Sequence, residues 1–215
     1  MKKIIPKQFS PAMDTSSILC INAVTVNWHD NETVDSTMDS ALSMLDSGAP
    51  SWTLVTASNQ SNGRGTHGRK WFSSSGLGLY FSIILPLPES IDMLDGLTSS
   101  TADILVETLL KFTGPLDYIV KQPNDVLIGG KKVAGILYET QSDSDGLTAL
   151  IFGLGLNLTQ STTDFLNAEL PDATSLQIES GTAPETLDFI RMFLDAFIPM
   201  YYDLTGISRT EARMS

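Results

Sequence analysis

The chain has 215 residues, of which 42% are hydrophobic, and it carries 13 lysines and arginines against 25 aspartates and glutamates. This length fits one globular domain with a buried core, while the net charge of −12 argues against a nucleic-acid-binding protein, since phosphate backbones attract dense positive charge. Cys20 is the single cysteine, which excludes a disulfide within the chain and a multi-cysteine metal site, and favours a cytoplasmic location.

The first part of the chain predicts a leader, strands and one helix. Residues 1–21 mix proline, serine and charge without periodicity, so we predict a flexible leader there. The apolar pattern then predicts, in order, a strand over 23–28, a helix that begins after Asp35, Ser36 and Thr37, and strands over 52–57 and 79–85. A polar, glycine-rich segment over 60–78 separates the last two strands. Long loops between strands commonly carry functional residues.

The remainder predicts a cluster of short strands between helices. In order, it predicts an amphipathic helix over 94–112, strands over 118–120, 125–128, 133–139 and 147–156, a loop over 162–183, a helix that begins at Pro184 and kinks at Pro199, and a tail over 206–215. Gly129 and Gly130 predict a two-residue hairpin. Turn-sized gaps between the strands indicate an α+β fold, with a mixed, largely antiparallel sheet flanked by helices. No run approaches the roughly 20 apolar residues that cross a bilayer, so we expect no membrane partner.

Positive charge is concentrated in two segments. Residues 60–72 and 121–132 hold six of the 13 basic side chains and one acidic residue, Asp125. In an acidic protein, two such segments favour a site that focuses positive potential on an anionic small ligand.

In the first basic segment, three glycines alternate with cations over 63–71. Backbone N–H groups beside glycine can approach phosphate oxygens closely, and arginine side chains can fork onto them. The alternative is an exposed, mobile loop whose charges keep it solvated. Trp71 either stacks on a purine or anchors the loop to the core.

In the second basic segment, Lys121, Asn124 and Asp125 surround a proline-directed turn. Asp125 is a candidate Mg²⁺ ligand, because this ion prefers oxygen donors, or it caps the next strand. Lys132 enters an apolar strand, where a lysine either meets an anion or extends its ammonium to solvent.

Five spaced motifs, taken in order, resemble those of the biotin protein ligases, within the wider family that includes lipoate and octanoate ligases. They are Asp35-Ser36-Thr37, Gln60 with Gly63-Arg64-Gly65 and Gly68-Arg69-Lys70-Trp71, Lys121 with Pro123-Asn124-Asp125, Lys132 to Leu137, and Gly153 to Asn157. The resemblance implies a class II synthetase-like biotin/lipoate ligase catalytic domain, which we place over residues 22–205.

The resemblance also implies an ATP-dependent biotin:carrier-protein ligase that forms biotinyl-5'-AMP and transfers biotin to a carrier lysine. It assigns biotin contacts to Ser36, Thr37, Gln60, Gly63, Arg64, Lys132, Gly135, Ile136 and Leu154. It assigns ATP contacts to Arg64, Arg69, Trp71, Lys121, Asn124, Asp125, Lys132 and Asn157, with Asp125 as the Mg²⁺ ligand. Lys132 and Arg64 are the expected catalytic residues, because a carboxylate and a polyphosphate repel unless fixed cations lie between them.

The chain departs from the family pattern in several places. Gln122 stands where the family has tryptophan, and Thr66 stands at a position that is basic in a well-known bacterial member. We expect neither an N-terminal DNA-binding module nor a C-terminal small β-barrel. Two alternatives stay open, a lipoate- or octanoate-type ligase and a non-catalytic biotin-binding regulatory protein, although Lys132 and Arg64 favour turnover. A homodimer is compatible with the sequence.

Overall fold

The computed structural model describes residues 15–144 and 146–208, so most of the predicted leader and tail lie outside the described residues. Within these ranges the chain forms eight strands and five α-helices. They are β1 (Thr15–Ile21), β2 (Val24–Val34), α1 (Thr37–Asp46), β3 (Thr53–Gln60), β4 (Gly78–Ile84), α2 (Leu97–Thr113), β5 (Tyr118–Lys121), β6 (Asp125–Ile128), β7 (Lys131–Asp143), β8 (Gly146–Asn157), α3 (Thr162–Asn167), α4 (Leu176–Ser180) and α5 (Thr186–Thr205).

The strands form one sheet in the order β1-β2-β3-β4-β8-β7-β6-β5. In the described chain β2 and β3 pair in parallel, and the other neighbours pair antiparallel. The parallel pair is the one joined by a helix, α1, because a parallel connection must cross back along the sheet. The predicted α+β fold with a mixed, largely antiparallel sheet is confirmed.

Helices cover both faces of the sheet. The main core lies between the sheet and the face formed by α2 and α5, where Phe152, Phe193 and Phe197 are fully buried and stack on one another. A smaller cluster, which includes Met38 and Ile151, joins α1 to the opposite face. No helix in the described ranges is long and apolar enough to span a membrane.

Local signals explain where several elements begin and end. The Ser36 hydroxyl accepts a hydrogen bond from the Met38 N–H at the start of α1 (3.2 Å), so Ser36 is the N-cap of this helix. Gly129 and Gly130 have φ of 55° and 83° between β6 and β7, so the predicted hairpin is confirmed and requires residues that tolerate positive φ.

The leader prediction is wrong for residues 15–21, which form β1. This edge strand pairs with β2 and buries Leu19 and Ile21. The turn after β1 is tied to α5, since the Asn22 side chain donates a hydrogen bond to the Asp195 carbonyl (2.7 Å). Two inward-facing apolar residues are too few to indicate a strand by periodicity. The strand forms because it pairs with β2.

The predicted loop over 162–183 is also wrong, because it contains α3 and α4. Ser161 and Asp164 form a reciprocal capping box at α3, and the Ser175 hydroxyl accepts from the Ile178 N–H at α4. Helices of six and five residues are too short to show apolar periodicity, so their caps were the available signal.

If β1 belongs to the folded domain, Leu19→Ala should lower the free energy of unfolding by about 2–4 kcal/mol, because it leaves a cavity in the core. Ile18→Ala is the matched control, since Ile18 is 72% exposed on the same strand and should change stability by less than about 0.5 kcal/mol. Urea denaturation of both variants measures the difference. Equal effects would contradict the assignment of β1 to the core.

Candidate active site

The glycine-rich loop, residues 61–77, folds into a narrow hairpin over the sheet. The Gly65 N–H donates to the Arg69 carbonyl (2.8 Å), and the Trp71 N–H donates to the Gly63 carbonyl (2.9 Å). A β-carbon at residue 63 would lie 2.7 Å from the Trp71 carbonyl oxygen, so the hairpin needs glycine there. The hairpin therefore places Arg64 and Trp71 close together over the sheet.

Trp71 lies directly on the sheet backbone. Gly135 of β7 pairs with Gly155 of β8, and a β-carbon on either residue would come within 2.8 Å or 2.3 Å of the Trp71 ring, respectively. Lys132 lies on the same ring, with Nζ 5.1 Å from a ring centroid, a cation–π distance. The loop and β7 thus bring a cation from each basic segment to one place.

These elements enclose a cavity of about 110 Å³. A wider groove of about 460 Å³ shares Arg64, Thr66 and Arg69 with it and extends along the loop toward Glu139. Among the residues that the resemblance named, the cavity wall contains Thr37, Gln60, Arg64, Arg69, Trp71, Asn124, Lys132, Gly135, Ile136 and Leu154.

Each central cation is held by carboxylates. The Arg64 guanidinium contacts Asp39 of α1 and Glu139 of β7. Burial alone would lower the pKa of Arg64, but hydrogen bonds and attraction from these two carboxylates outweigh it and raise the pKa above its ordinary value. Lys132 Nζ lies 2.7 Å from Asp125 Oδ1. The arrangement presents positive groups whose directions are fixed before an anion arrives.

A polar cluster forms the opposite end of the cavity. Gln60 Oε1 accepts from the Thr37 N–H (2.8 Å), and the Thr37 and Ser82 hydroxyls lie 2.8 Å apart. Gln60 Nε2 donates to the Ser73 hydroxyl (2.9 Å). These side chains bond to one another and form a polar wall at this end of the cavity.

Ile136 and Leu154 border the cavity in a different way from the one expected. Both belong to the main core, and Leu154 lies between Gly153 and Gly155, whose missing side chains would face Met38 and Trp71. Since side chains alternate along a strand, the Leu154 side chain points to the other face. Its backbone is what borders the cavity.

Five residues named by the resemblance do not line the cavity. The Ser36 hydroxyl caps α1, and Lys121 is exposed at the end of β5. Gly63 lies within the loop hairpin, and Asp125 forms an ion pair with Lys132. The Asn157 side chain is buried and bonds to backbone carbonyls. Their roles as ligand contacts stay predictions.

Sequence reasoning missed several residues of the site. Ser82 joins the polar cluster, Asp39 and Glu139 hold Arg64, and Met38 packs against Gly153. The sequence offered one usable signal, the two glycines of the Gly153 to Asn157 motif, which indicate a close approach to the backbone. In the described part of the chain, no three His, Cys, Asp or Glu side chains converge as a metal site.

Comparisons with known proteins converge on one family. The model of the biotin/lipoate A/B protein ligase family matches residues 31–157. The bifunctional ligase/repressor BirA of Bacillus spizizenii is 36% identical over 173 residues, which cover 80% of this chain and 53% of BirA. The biotin--[acetyl-CoA-carboxylase] ligase of Paracoccus denitrificans is 34% identical over 147 residues, covering 66% of this chain and 60% of the relative. This chain thus spans little more than half of either relative.

Among solved structures, the chain is similar to the biotin protein ligase of Aquifex aeolicus in complex with biotin and ATP. The TM-score is 0.66 at 28% identity, and the match covers 86% of this chain and 74% of that one.

Tyr80 links the end of the glycine-rich loop to the sheet through its buried hydroxyl group. Its hydroxyl accepts from the Ser74 N–H (3.0 Å), and burial raises the pKa of Tyr80 to about 12. Between about pH 10 and 12 the unfolded chain loses this proton while the folded chain keeps it, so rising pH favours unfolding.

We therefore expect the ionisation of Tyr80 to lower the free energy of unfolding by roughly 2–3 kcal/mol as the pH rises across that interval. Tyr80→Phe should lack this part of the pH dependence. Urea denaturation of both proteins at several pH values from 9 to about 12 measures it. Parallel stability curves for the two proteins would contradict the prediction.

Proposed function

Because the chain belongs to the biotin/lipoate A/B protein ligase family, we propose that it is an ATP-dependent biotin ligase that modifies a carrier-protein lysine in the cytoplasm. The observation that carries the proposal is the shared cavity of Arg64 and Lys132. These cations come from segments far apart in sequence, and an activated acyl-phosphate junction is a ligand that needs both.

The polar end of the cavity favours biotin over alkyl acids. Thr37, Gln60 and Ser82 offer hydroxyl and amide groups that match the donors and acceptors of a ureido ring. These groups bond to one another and to Ser73, and a ureido ring can form further hydrogen bonds with them, whereas an octanoyl chain cannot. Gln122, the departure from the family pattern, is exposed and lies outside the cavity wall, so it does not reshape this end.

The first step joins two anions. A carboxylate oxygen of biotin attacks the α-phosphorus of ATP, the bond to the bridging oxygen breaks, and pyrophosphate leaves with the electron pair. Lys132 would lie between the carboxylate and the α-phosphate, while Arg64 would face the same junction from the loop. Their fixed charges offset the repulsion and stabilise the charge that develops on the phosphoryl oxygens.

The second step transfers the acyl group. The amine of a carrier-protein lysine attacks the acyl carbon of biotinyl-5'-AMP, AMP leaves, and an amide forms as the amine loses its proton. The relative from Paracoccus denitrificans is named as a ligase for acetyl-CoA carboxylase, which supports a biotin carboxyl carrier domain as the acceptor. The protein needs no covalent intermediate of its own.

Magnesium would enter this site with ATP. Asp125 is a single carboxylate already bound to Lys132, and the described residues offer no group of three or more His, Cys, Asp or Glu around it. Mg²⁺ commonly binds through one or two carboxylates together with substrate phosphates and water. We therefore propose that the substrate is the magnesium complex of ATP, with Asp125 as a protein ligand.

The decisive assay is ATP–pyrophosphate exchange by the purified chain with biotin and, separately, with lipoate. Lys132→Ala should lower the biotin-dependent rate by about 10²- to 10³-fold, since it removes a charge aimed at the reacting centre. Lys131→Ala is the matched control, because Lys131 is exposed and lies outside the cavity wall. Near-normal exchange by the Lys132→Ala protein, or exchange with lipoate alone, would refute the proposal.

Substitutions at two glycines on β8 should affect the KM values for biotin and for ATP differently. A methyl group at residue 155 collides with Trp71, which the resemblance assigns to ATP. A methyl group at residue 153 meets Met38, the neighbour of Thr37, which the resemblance assigns to biotin. Gly155→Ala should therefore raise the KM for ATP about tenfold with little effect on biotin, and Gly153→Ala should do the reverse, as expected for a lost or displaced contact of ordinary size. Steady-state exchange kinetics distinguish the pair. Identical changes in both KM values would mean that the glycines serve folding alone.

A further inference from the structure

The glycine-rich loop places two cations side by side. Arg64 and Lys70 face each other in an antiparallel bridge, and the two backbone hydrogen bonds of the loop hairpin lie on either side of this pair. In a pair of this kind the Cα atoms are about 4.5 Å apart, and both side chains project from the same face of the hairpin. Arg64 and Lys70 therefore present their charges next to each other.

The two cations differ in their partners. Arg64 is paired with Asp39 and Glu139, whereas Lys70 is exposed and forms no ion pair with any of the described residues. Its own loop cannot supply one, because residues 61–77 contain no aspartate or glutamate. Like charges that lie directly opposite each other in a hairpin are destabilising. An anion that contacts both cations would remove this repulsion.

Lys70 lies where the cavity opens into the wider groove. It belongs to the walls of both, together with Arg64 and Arg69. These three cations line the groove with one acid, Glu139, which already pairs with Arg64. The groove is thus positive in a chain whose net charge is −12. Such a local excess of positive charge attracts a ligand that carries several negative charges.

We propose that the groove holds the pyrophosphate part of ATP and that the Lys70 ammonium contacts it. This inference rests on the proposed function. In phosphoryl transfer the leaving oxygen lies roughly opposite the attacking one. The biotin carboxylate would approach the α-phosphorus from the polar end of the cavity, at Thr37 and Gln60, so the leaving group extends toward the groove. There Lys70 offsets the negative charge that pyrophosphate gains as its bond to the α-phosphorus breaks.

Calorimetric titration of the chain with inorganic pyrophosphate, in the absence and in the presence of biotin, tests the groove without turnover. Lys70→Met keeps an apolar side chain but removes the charge, so it should weaken pyrophosphate binding about tenfold, as expected for loss of one charge-assisted hydrogen bond. Lys131→Met is the matched control, because Lys131 is exposed and lies outside the walls of the cavity and the groove. Equal losses in the two variants, or no pyrophosphate binding by the wild-type chain in either condition, would overturn the proposal.

Steady-state ATP–pyrophosphate exchange distinguishes a contact with the leaving group from a contact with biotin. Lys70→Met should raise the KM values for pyrophosphate and for ATP about tenfold, with the KM for biotin within about twofold of the wild-type value. Lys70→Arg keeps the charge and should return both raised values to within about threefold of wild type. An unchanged KM for pyrophosphate in Lys70→Met, or a raised KM for biotin alone, would overturn the proposal.

The two experiments separate this inference from the proposed function. If the wild-type chain shows no biotin-dependent ATP–pyrophosphate exchange, the proposed function fails, while calorimetry still decides whether the groove binds pyrophosphate through Lys70. If exchange proceeds but Lys70→Met behaves like Lys131→Met in both experiments, the proposed function stands and the role of Lys70 is wrong.

Discussion

A strip of sheet without side chains is the constraint on which the site depends. Gly135 and Gly155 face each other across β7 and β8, and Gly153 continues the strip toward α1. Because no β-carbon intervenes, the Trp71 ring and Met38 lie directly on the strand backbone. The loop can then bring Arg64 to the cavity that Lys132 already borders, and a larger residue in the strip would force these elements apart.

At this site, local ion pairs matter more than the net charge of the chain. The chain is strongly acidic, yet the acids nearest the cavity serve to orient cations, with Asp39 and Glu139 on Arg64 and Asp125 on Lys132. The side chains of both cations are 34% exposed, and ion pairs at such positions contribute about 1 kcal/mol or less. A polyphosphate can therefore compete for the same cations without a large energetic penalty.

One strand serves both the core and the site. In β8, Phe152, Leu154 and Leu156 pack in the main core beneath α5, while the glycines between them face the cavity. Because alternate residues point to opposite faces, the stacked phenylalanines on one side hold the backbone that the ligand-binding elements contact on the other. The rigidity of the site therefore comes from packing in which no ligand takes part.

The sequence alone was sufficient for the α+β class, for most strands, and for the two basic segments, because alternation, turn glycines and charge clustering are local properties. It was not sufficient for β1, whose order comes from β2, nor for the short α3 and α4. It also could not show that the Asn157 side chain bonds to the Lys132 and Thr174 carbonyls. Only the tertiary structure decided that Asp39 and Glu139 hold Arg64 and that residues 172–174 complete the strand at Lys132. These contacts join residues far apart in the chain, and their geometry arises only when the sheet closes around them.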